Sequence, residues 1–420
     1  MRSPRDGVNA PLPDAVFGAT AMSEHAHQLP SVFPREMGPN AMKYLKEVVD
    51  SGLASDMVSR MERAIAGAHG VRFCVGAPGC TQALFNAMMA MDFEQGDEII
   101  MSPIADYGTV VGALIEGYIP IFADTEPGTG LVSAATIEPH ITKRTRAILV
   151  VHLLGLPCDM DPIVALARKH DLVLIEDVCQ AILATYKGRL AGTFGDLACF
   201  SFDSEKTCGA DMGGATITDN EEIYQRLKNR GPARGAREVP GFGRVHMYRG
   251  FPTRMPQCTA ATVLANFEIL PRQVAQRQRT AALLDSMLDT VTGIATYRVP
   301  PERSHTYWMY GFSIQPERFR CTPDEFARQL RESGIPQAGL ARYYLMPEGI
   351  GFLRDWVEHG RYPFCIPPAS RLPRYSADVV SNARQFLETW IRWFWTEKYT
   401  DEHVQRMADI VREVAMKNRR

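Results

Sequence analysis

The stretch LVLIEDVCQA, residues 172–181, decides how this chain folds. Four apolar residues in a row, closed by two carboxylates, leave no alternating solvent face, so the run reads as a strand covered on both sides. AILVVH at 147–152 repeats the pattern. Strands of this kind belong to a mostly parallel sheet sandwiched between helices, the α/β arrangement. Open sheets of that type bind ligands beyond the carboxyl ends of their strands. Asp177 stands at such an end, with Gln180 three residues later. A carboxylate buried there needs a partner or a ligand, and capping the next helix would satisfy it equally well.

Working outward, helix and strand signals alternate. A helix begins near Asn40 and stops at Gly52, a second covers DMVSRMERAIAGAHG, and VRFCVG then leads as a strand into the glycine turn and helix PGCTQALFNAMMAM. Strand, tight turn and helix together can cradle a phosphate on backbone N–H groups, here within GAPGCTQAL at 76–84 with the Thr81 hydroxyl assisting. Without a GxGxxG or GxxxxGK[ST] fingerprint a plain structural turn fits as well, and the missing fingerprints argue against NAD and ATP. Further on, CFSFDSEKTCGADMGG at 199–214 sets Lys206 just past a strand, among Ser201, Ser204 and the pair Gly213–Gly214. An amine desolvated in such a turn can form a Schiff base, although a lone lysine is more often a solvated surface residue.

The expected organisation is an N-terminal arm over 1–39, a large domain over 40–290 and a smaller C-terminal α/β domain over 291–420. Between 229 and 256 the chain is dense in Gly, Pro and Arg, which reads as a long loop of the functional or mobile kind. With 46 Lys+Arg against 48 Asp+Glu the net charge is −2, so the basic surplus of a nucleic-acid binder is missing. No apolar run reaches membrane-span length, and the first twenty residues lack a signal-peptide core. Nine scattered cysteines without a CxxC pair speak for reduced thiols in the cytoplasm, with neither a disulfide framework nor a structural metal site.

Taken in order, VGAPGCTQALFNAM, SPIADYGTVVGALIEGYIPIFADTEP, RAILVVHLLGLPCDMDPI, LIEDVCQAILATYKGRLAGTFGDLACFSF, the Lys206 turn and RGFPTRMPQCTAA resemble the DegT/DnrJ/EryC1/StrS family, the pyridoxal phosphate (PLP)-dependent sugar and cyclitol aminotransferases of the type I aspartate-aminotransferase fold. The C-terminal third resembles it more loosely, in HTYWMYGF and LRESGIP. The resemblance implies a seven-stranded, mostly parallel sheet and a homodimer with shared active sites. It implies that Lys206 forms the internal aldimine and shuttles protons, that Asp177 pairs with the pyridine nitrogen, that Gln180 contacts the ring or its 3-oxygen, and that Tyr107 stacks on the ring face. Cys80, Thr81, Gln82 and Ser201 would hold the phosphate. His152 is either a neighbour of the cofactor or a core histidine; Arg254 either binds an anionic substrate or reaches the partner subunit.

The implied reaction carries an amino group from an amino acid, glutamate or glutamine, through pyridoxamine phosphate to a keto sugar, keto cyclitol or related ketone of secondary-metabolite or antibiotic biosynthesis. Three departures stand out: Cys80 replaces a usual Gly, Met212 a common Glu, and Pro252 an Asn that the family usually offers to the neighbouring subunit's phosphate. They leave room for another PLP reaction (elimination, racemisation, decarboxylation or oxidation), or for a degenerate homologue acting as a partner or regulatory protein.

Overall fold

The computed structural model describes residues 29–233, 236–366 and 373–420; the expected N-terminal arm therefore lies outside the described residues as far as 28. Helices α1 (Ala41–Asp50) and α2 (Met57–His69) precede strand β1 (Phe73–Ala77). Gly70 ends α2 with φ of 66°, a left-handed cap that a side chain would strain. Alternation follows through α3 (Cys80–Met91), β2 (Glu98–Met101), α4 (Tyr107–Glu116), β3 (Ile119–Phe122), β4 (Thr145–Val151), α5 (Met160–Lys169), β5 (Val173–Asp177), β6 (Leu197–Ser201), β7 (Gly214–Thr218) and α6 (Glu221–Arg230).

These seven strands form one sheet in the order β1-β7-β6-β5-β4-β2-β3. The pairs β2/β3, β2/β4, β4/β5 and β5/β6 are parallel, while β7 runs antiparallel to both β1 and β6. β2, β3 and β6 are buried at every residue, and β4 at all but Arg146, as continuous apolar runs require when helices cover both faces. The α/β reading of the sequence and the seven-stranded sheet implied by the resemblance are both observed.

The Gly/Pro/Arg-rich segment before residue 256 is less irregular than its composition suggests, because it contains an antiparallel hairpin pairing Arg237 with Val245 and Glu238 with Arg244. After it, α7 (Gln257–Leu288) runs 32 residues, about 48 Å at 1.5 Å per residue. Its first half packs Ala260, Val263, Leu264 and Leu270 with α1 and α2 residues. Its second half packs Ala281, Leu284 and Leu288 into a separate core. That second core is built on the antiparallel sheet β8 (Ile294–Thr296), β9 (Met309–Ile314) and β10 (Trp390–Phe394), with α8 (Pro323–Glu332) and α9 (Asp401–Asn418) against it.

Arg277 fastens α7 to this second core. It is 1% exposed and donates to Glu397 at 2.7 and 3.0 Å, to the Tyr307 carbonyl at 2.9 Å and to the Trp395 carbonyl at 2.5 Å. A guanidinium out of water is tolerated because its donors are matched.

Candidate active site

At the carboxyl ends of β4, β5 and β6 lies a cavity of about 350 Å³, lined by Gly79 to Gln82, Asp106, Thr109, Asp177, Gln180, Ser201, Lys206, Met212 and, from the C-terminal part of the chain, Trp308 and Tyr344. Its position follows from the parallel strand order.

Glu176 and Asp177 close β5 side by side, and strand alternation sends them to different work. Glu176, fully buried, takes N–H donors from Gly192, Phe194 and Gly195 at 2.7–2.8 Å and faces His152 Nε2 at 2.9 Å. Burial would raise its pKa, but His152 and the N–H groups of Gly195 and Gly192 outweigh burial and hold it below the usual carboxylate value. The Cys158 N–H donates to His152 Nδ1 at 3.1 Å, so the ring carries its proton on Nε2 toward Glu176. His152 is a core residue that braces the strand end and is not part of the cavity lining.

Asp177, in contrast, lines the cavity. The Thr109 hydroxyl donates to its Oδ2 at 2.8 Å and the Cys179 N–H to its Oδ1 at 3.0 Å. Gln180 Oε1 accepts from the Leu154 N–H at 2.6 Å. Leu154 has φ of 59°, an uncommon conformation for a branched residue, and this bond helps to fix it. With its carbonyl engaged, Gln180 has its NH₂ to offer the cavity.

Across the cavity, α3 opens at Gly79 without a side-chain cap. The first-turn N–H groups of a helix lack intrahelical partners, and those of Cys80, Thr81 and Gln82 belong to residues of the cavity wall. Close backbone approach holds this turn in place: a Cβ on Gly214 would sit 2.5 Å from the Gly79 carbonyl oxygen. The positive end of α3 beside the Ser201 hydroxyl suits a phosphate.

Lys206 follows the turn after β6, and its Nζ lies 3.8 Å from the centre of the Trp308 ring, a cation–π contact that holds the amine at the wall. Trp308, 2% exposed, is itself anchored by donating to the Glu205 carbonyl at 2.9 Å.

Of the ten residues singled out from sequence, Cys80, Thr81, Gln82, Asp177, Gln180, Ser201 and Lys206 meet at this cavity. Tyr107 does not line it: its ring is half exposed and sits edge-on 6.4 Å from Phe352, because the first turn of α4 turns Gly108 and Thr109 inward instead. Arg254 is exposed and outside the lining, and so is Pro252. Thr109, Trp308, Tyr344 and Cys179 are lining residues that the sequence reading missed. The run HTYWMYGF was visible, but nothing in it says that Trp308 folds back onto Lys206, 102 positions earlier.

Residues 35–347 match the DegT/DnrJ/EryC1/StrS aminotransferase family. The chain belongs to that family. GDP-perosamine synthase of Caulobacter vibrioides is 31% identical over 309 residues, which are 73% of this chain and 82% of that protein. L-glutamine:2-deoxy-scyllo-inosose aminotransferase of Streptoalloteichus tenebrarius is 31% identical over 277 residues, 63% of this chain and 64% of that protein. Among solved structures, S. venezuelae DesV in complex with a ketimine intermediate superposes with a TM-score of 0.75 at 25% identity, covering 90% of this chain and 94% of DesV. As a member of the DegT/DnrJ/EryC1/StrS family the chain is an aminotransferase, and the family and its fold imply PLP.

The residues present fit that cofactor. A cavity of about 350 Å³ is of ligand-site size, with uncapped helix N–H groups at one wall, a doubly hydrogen-bonded carboxylate and a lysine amine.

Proposed function

We propose that this cavity binds PLP and that the chain transfers an amino group from glutamate or glutamine to a keto sugar or keto cyclitol. The observation that carries the reading is the convergence of Lys206, Asp177 and the uncapped N-terminus of α3 on one cavity. When bound, PLP supplies a carbonyl that takes amines and a ring that accepts electrons.

The chain's own residues supply the rest. The N–H groups of Cys80, Thr81 and Gln82, with the Ser201 hydroxyl, would hold the phosphate by charge-assisted bonds. Asp177 would hold a proton at the ring nitrogen, its carboxylate fixed by Thr109 and Cys179. The Gln180 NH₂ would reach a ring oxygen. Lys206 Nζ, nucleophile and then base, would move the proton between the donor carbon and the cofactor, and Trp308 gives its amine a place to rest between those tasks. Trp308 and Tyr344 also line that side of the cavity.

The acceptor class rests on the relatives: one is named for GDP-perosamine, the other for L-glutamine and a cyclitol ketone. A homodimer and a reducing, cytoplasmic setting complete the reading. All nine cysteines are free, which suits that compartment, and no helix among the described residues is long and apolar enough to cross a membrane. Phe242, Met247, Tyr248 and Phe251, exposed around the hairpin, supply apolar surface for a second copy.

The test is the near-visible spectrum of the protein with PLP, before and after borohydride, with peptide mapping. A band that collapses and leaves a pyridoxyl group on Lys206 supports the reading, and its absence refutes it. Conversion of the band by glutamate or glutamine, followed by transfer of labelled nitrogen to a keto sugar or cyclitol, checks the donor and acceptor classes. Sedimentation showing an active monomer would overturn the dimer.

A further inference from the structure

Two cysteines at the cavity wall use their backbone N–H groups in the proposed reaction, but their thiols have no task in it. Cys80 is the first residue of α3 and Cys179 lies in the turn after β5. The elements are nearly 100 residues apart in sequence, yet the two sulfurs and an Asp177 carboxylate oxygen lie within 4.8 Å of one another. All three residues line the cavity, and both cysteines are free.

We propose that Cys80, Cys179 and Asp177 form a binding site for a thiophilic divalent cation of the zinc class, and that this ion and PLP exclude each other. The exclusion rests on the reading above, in which Asp177 serves the cofactor.

Chemistry selects the ion. The two soft thiolates, outnumbering one hard carboxylate, favour zinc or cadmium over magnesium or calcium. Zinc–sulfur bonds of about 2.3 Å in a tetrahedron place neighbouring sulfurs roughly 3.8 Å apart. The observed triangle needs to close by at most about an ångström, within reach of cysteine χ1 rotation. The fourth position would face the open cavity and take water, as at zinc sites with three protein ligands.

Charge weighs on both sides, because burial and the Asp177 charge hold both thiols above their ordinary value and the metal–sulfur bonds must offset that. Each thiol gives its proton to solvent as its sulfur–metal bond forms. Two thiolates and a carboxylate against a dication leave one negative charge, beside the positive end of α3. The other charged side chains close to the pair are Asp106 and Lys206; Asp106 favours the cation, and Lys206 opposes it less while it rests on Trp308. The Thr109 hydroxyl and the Cys179 N–H already orient the carboxylate, so its placement costs little further ordering.

The test uses the full chain freed of cofactor and titrated with cadmium chloride, read by the ultraviolet thiolate-to-cadmium charge-transfer band and by equilibrium dialysis. The expected result is one ion per chain with that band, unchanged in the double variant C258S/C365S, whose thiols are the exposed ones. Cys80→Ser and Cys179→Ala, each checked for native circular dichroism, should weaken binding at least tenfold; should one of them misfold, the other decides. Saturating PLP should weaken cadmium binding at least tenfold, and zinc chloride should release PLP from the loaded protein.

A band that survives in a folded C80S or C179A variant, or simultaneous binding of cadmium and PLP, overturns the proposal. The two readings fail separately. A chain that binds PLP and shows no cadmium band refutes the metal site alone. A chain that binds cadmium through Cys80 and Cys179 but never takes PLP keeps the site and refutes the proposed function and the exclusion.

Discussion

Replacing Asp285 by asparagine should stabilise the protein at neutral and alkaline pH. Asp285 lies in the last turn of α7, where the helix carbonyls present their negative end, and burial raises its pKa from the ordinary 3.8 to about 6. The Tyr310 hydroxyl donates to its Oδ1 at 2.6 Å and pulls the other way, while Asp289 adds to the rise. The folded chain therefore holds this proton more tightly than the unfolded chain. The associated stability is fully present below 3.8 and is lost as pH rises to about 6. At about 1.4 kcal/mol per tenfold change, holding the ionised group in place costs the fold up to about 3 kcal/mol at pH 7 and above.

Asn keeps the Oδ1 acceptor for Tyr310 and carries no charge. Asp285→Asn should thus be more stable than the parent by up to about 3 kcal/mol near pH 8 and close to equal near pH 4. The assay is the urea midpoint at both pH values, at fixed protein concentration and with an unchanged m-value. A stability difference that is the same at both pH values, or a variant weaker than the parent near pH 8, would refute the reasoning.

His305 works in the opposite direction: burial lowers its pKa from 6.5 to about 3, and its Nδ1 accepts from the Tyr307 N–H at 2.8 Å. Its stability is present above 6.5 and lost on acidification, so between about pH 7 and 5 the parent should lose about 2 kcal/mol more than His305→Gln in urea titrations. Arg277→Ala leaves Glu397 buried without its partner and should cost about 3–5 kcal/mol, read by thermal unfolding, with Glu397→Gln completing a double-mutant cycle. Thr109→Val removes a donor to Asp177 worth about 1.5–3 kcal/mol. It should weaken PLP binding roughly 10- to 100-fold in a spectral titration, and Thr109→Ser should restore most of it.

The architecture was legible because its signals are local and redundant. Four consecutive apolar residues before Glu176 cannot serve a half-exposed strand, and AILVVH repeats the same constraint one strand over. The walls contributed by α3, β5 and the Lys206 turn were legible for a similar reason, since each couples a strand end to a turn. Trp308 and Tyr344 were not. They reach the cavity because the chain beyond α7 returns to the core of the large sheet, to which Trp308 belongs and against which Tyr344 packs, and no short window records that return. Tyr107 shows the finer limit: a shift of two residues within one helical turn exchanges the inward position with Thr109.

The adjacent acids of β5 show how close a structural and a chemical role can lie. Glu176 takes three backbone N–H groups and a histidine, and so ties β5 to the 192–195 turn and to the end of β4. Those contacts leave it no access to a ligand. Asp177, one residue on and on the opposite face, keeps two donors and an open side toward the cavity. Neither position could exchange roles without a one-residue slip of the strand, which would turn every β5 side chain to the other face. The rigidity of the Glu176 cluster therefore sets the position of the Asp177 carboxylate, for PLP as for the metal ion proposed to compete with it.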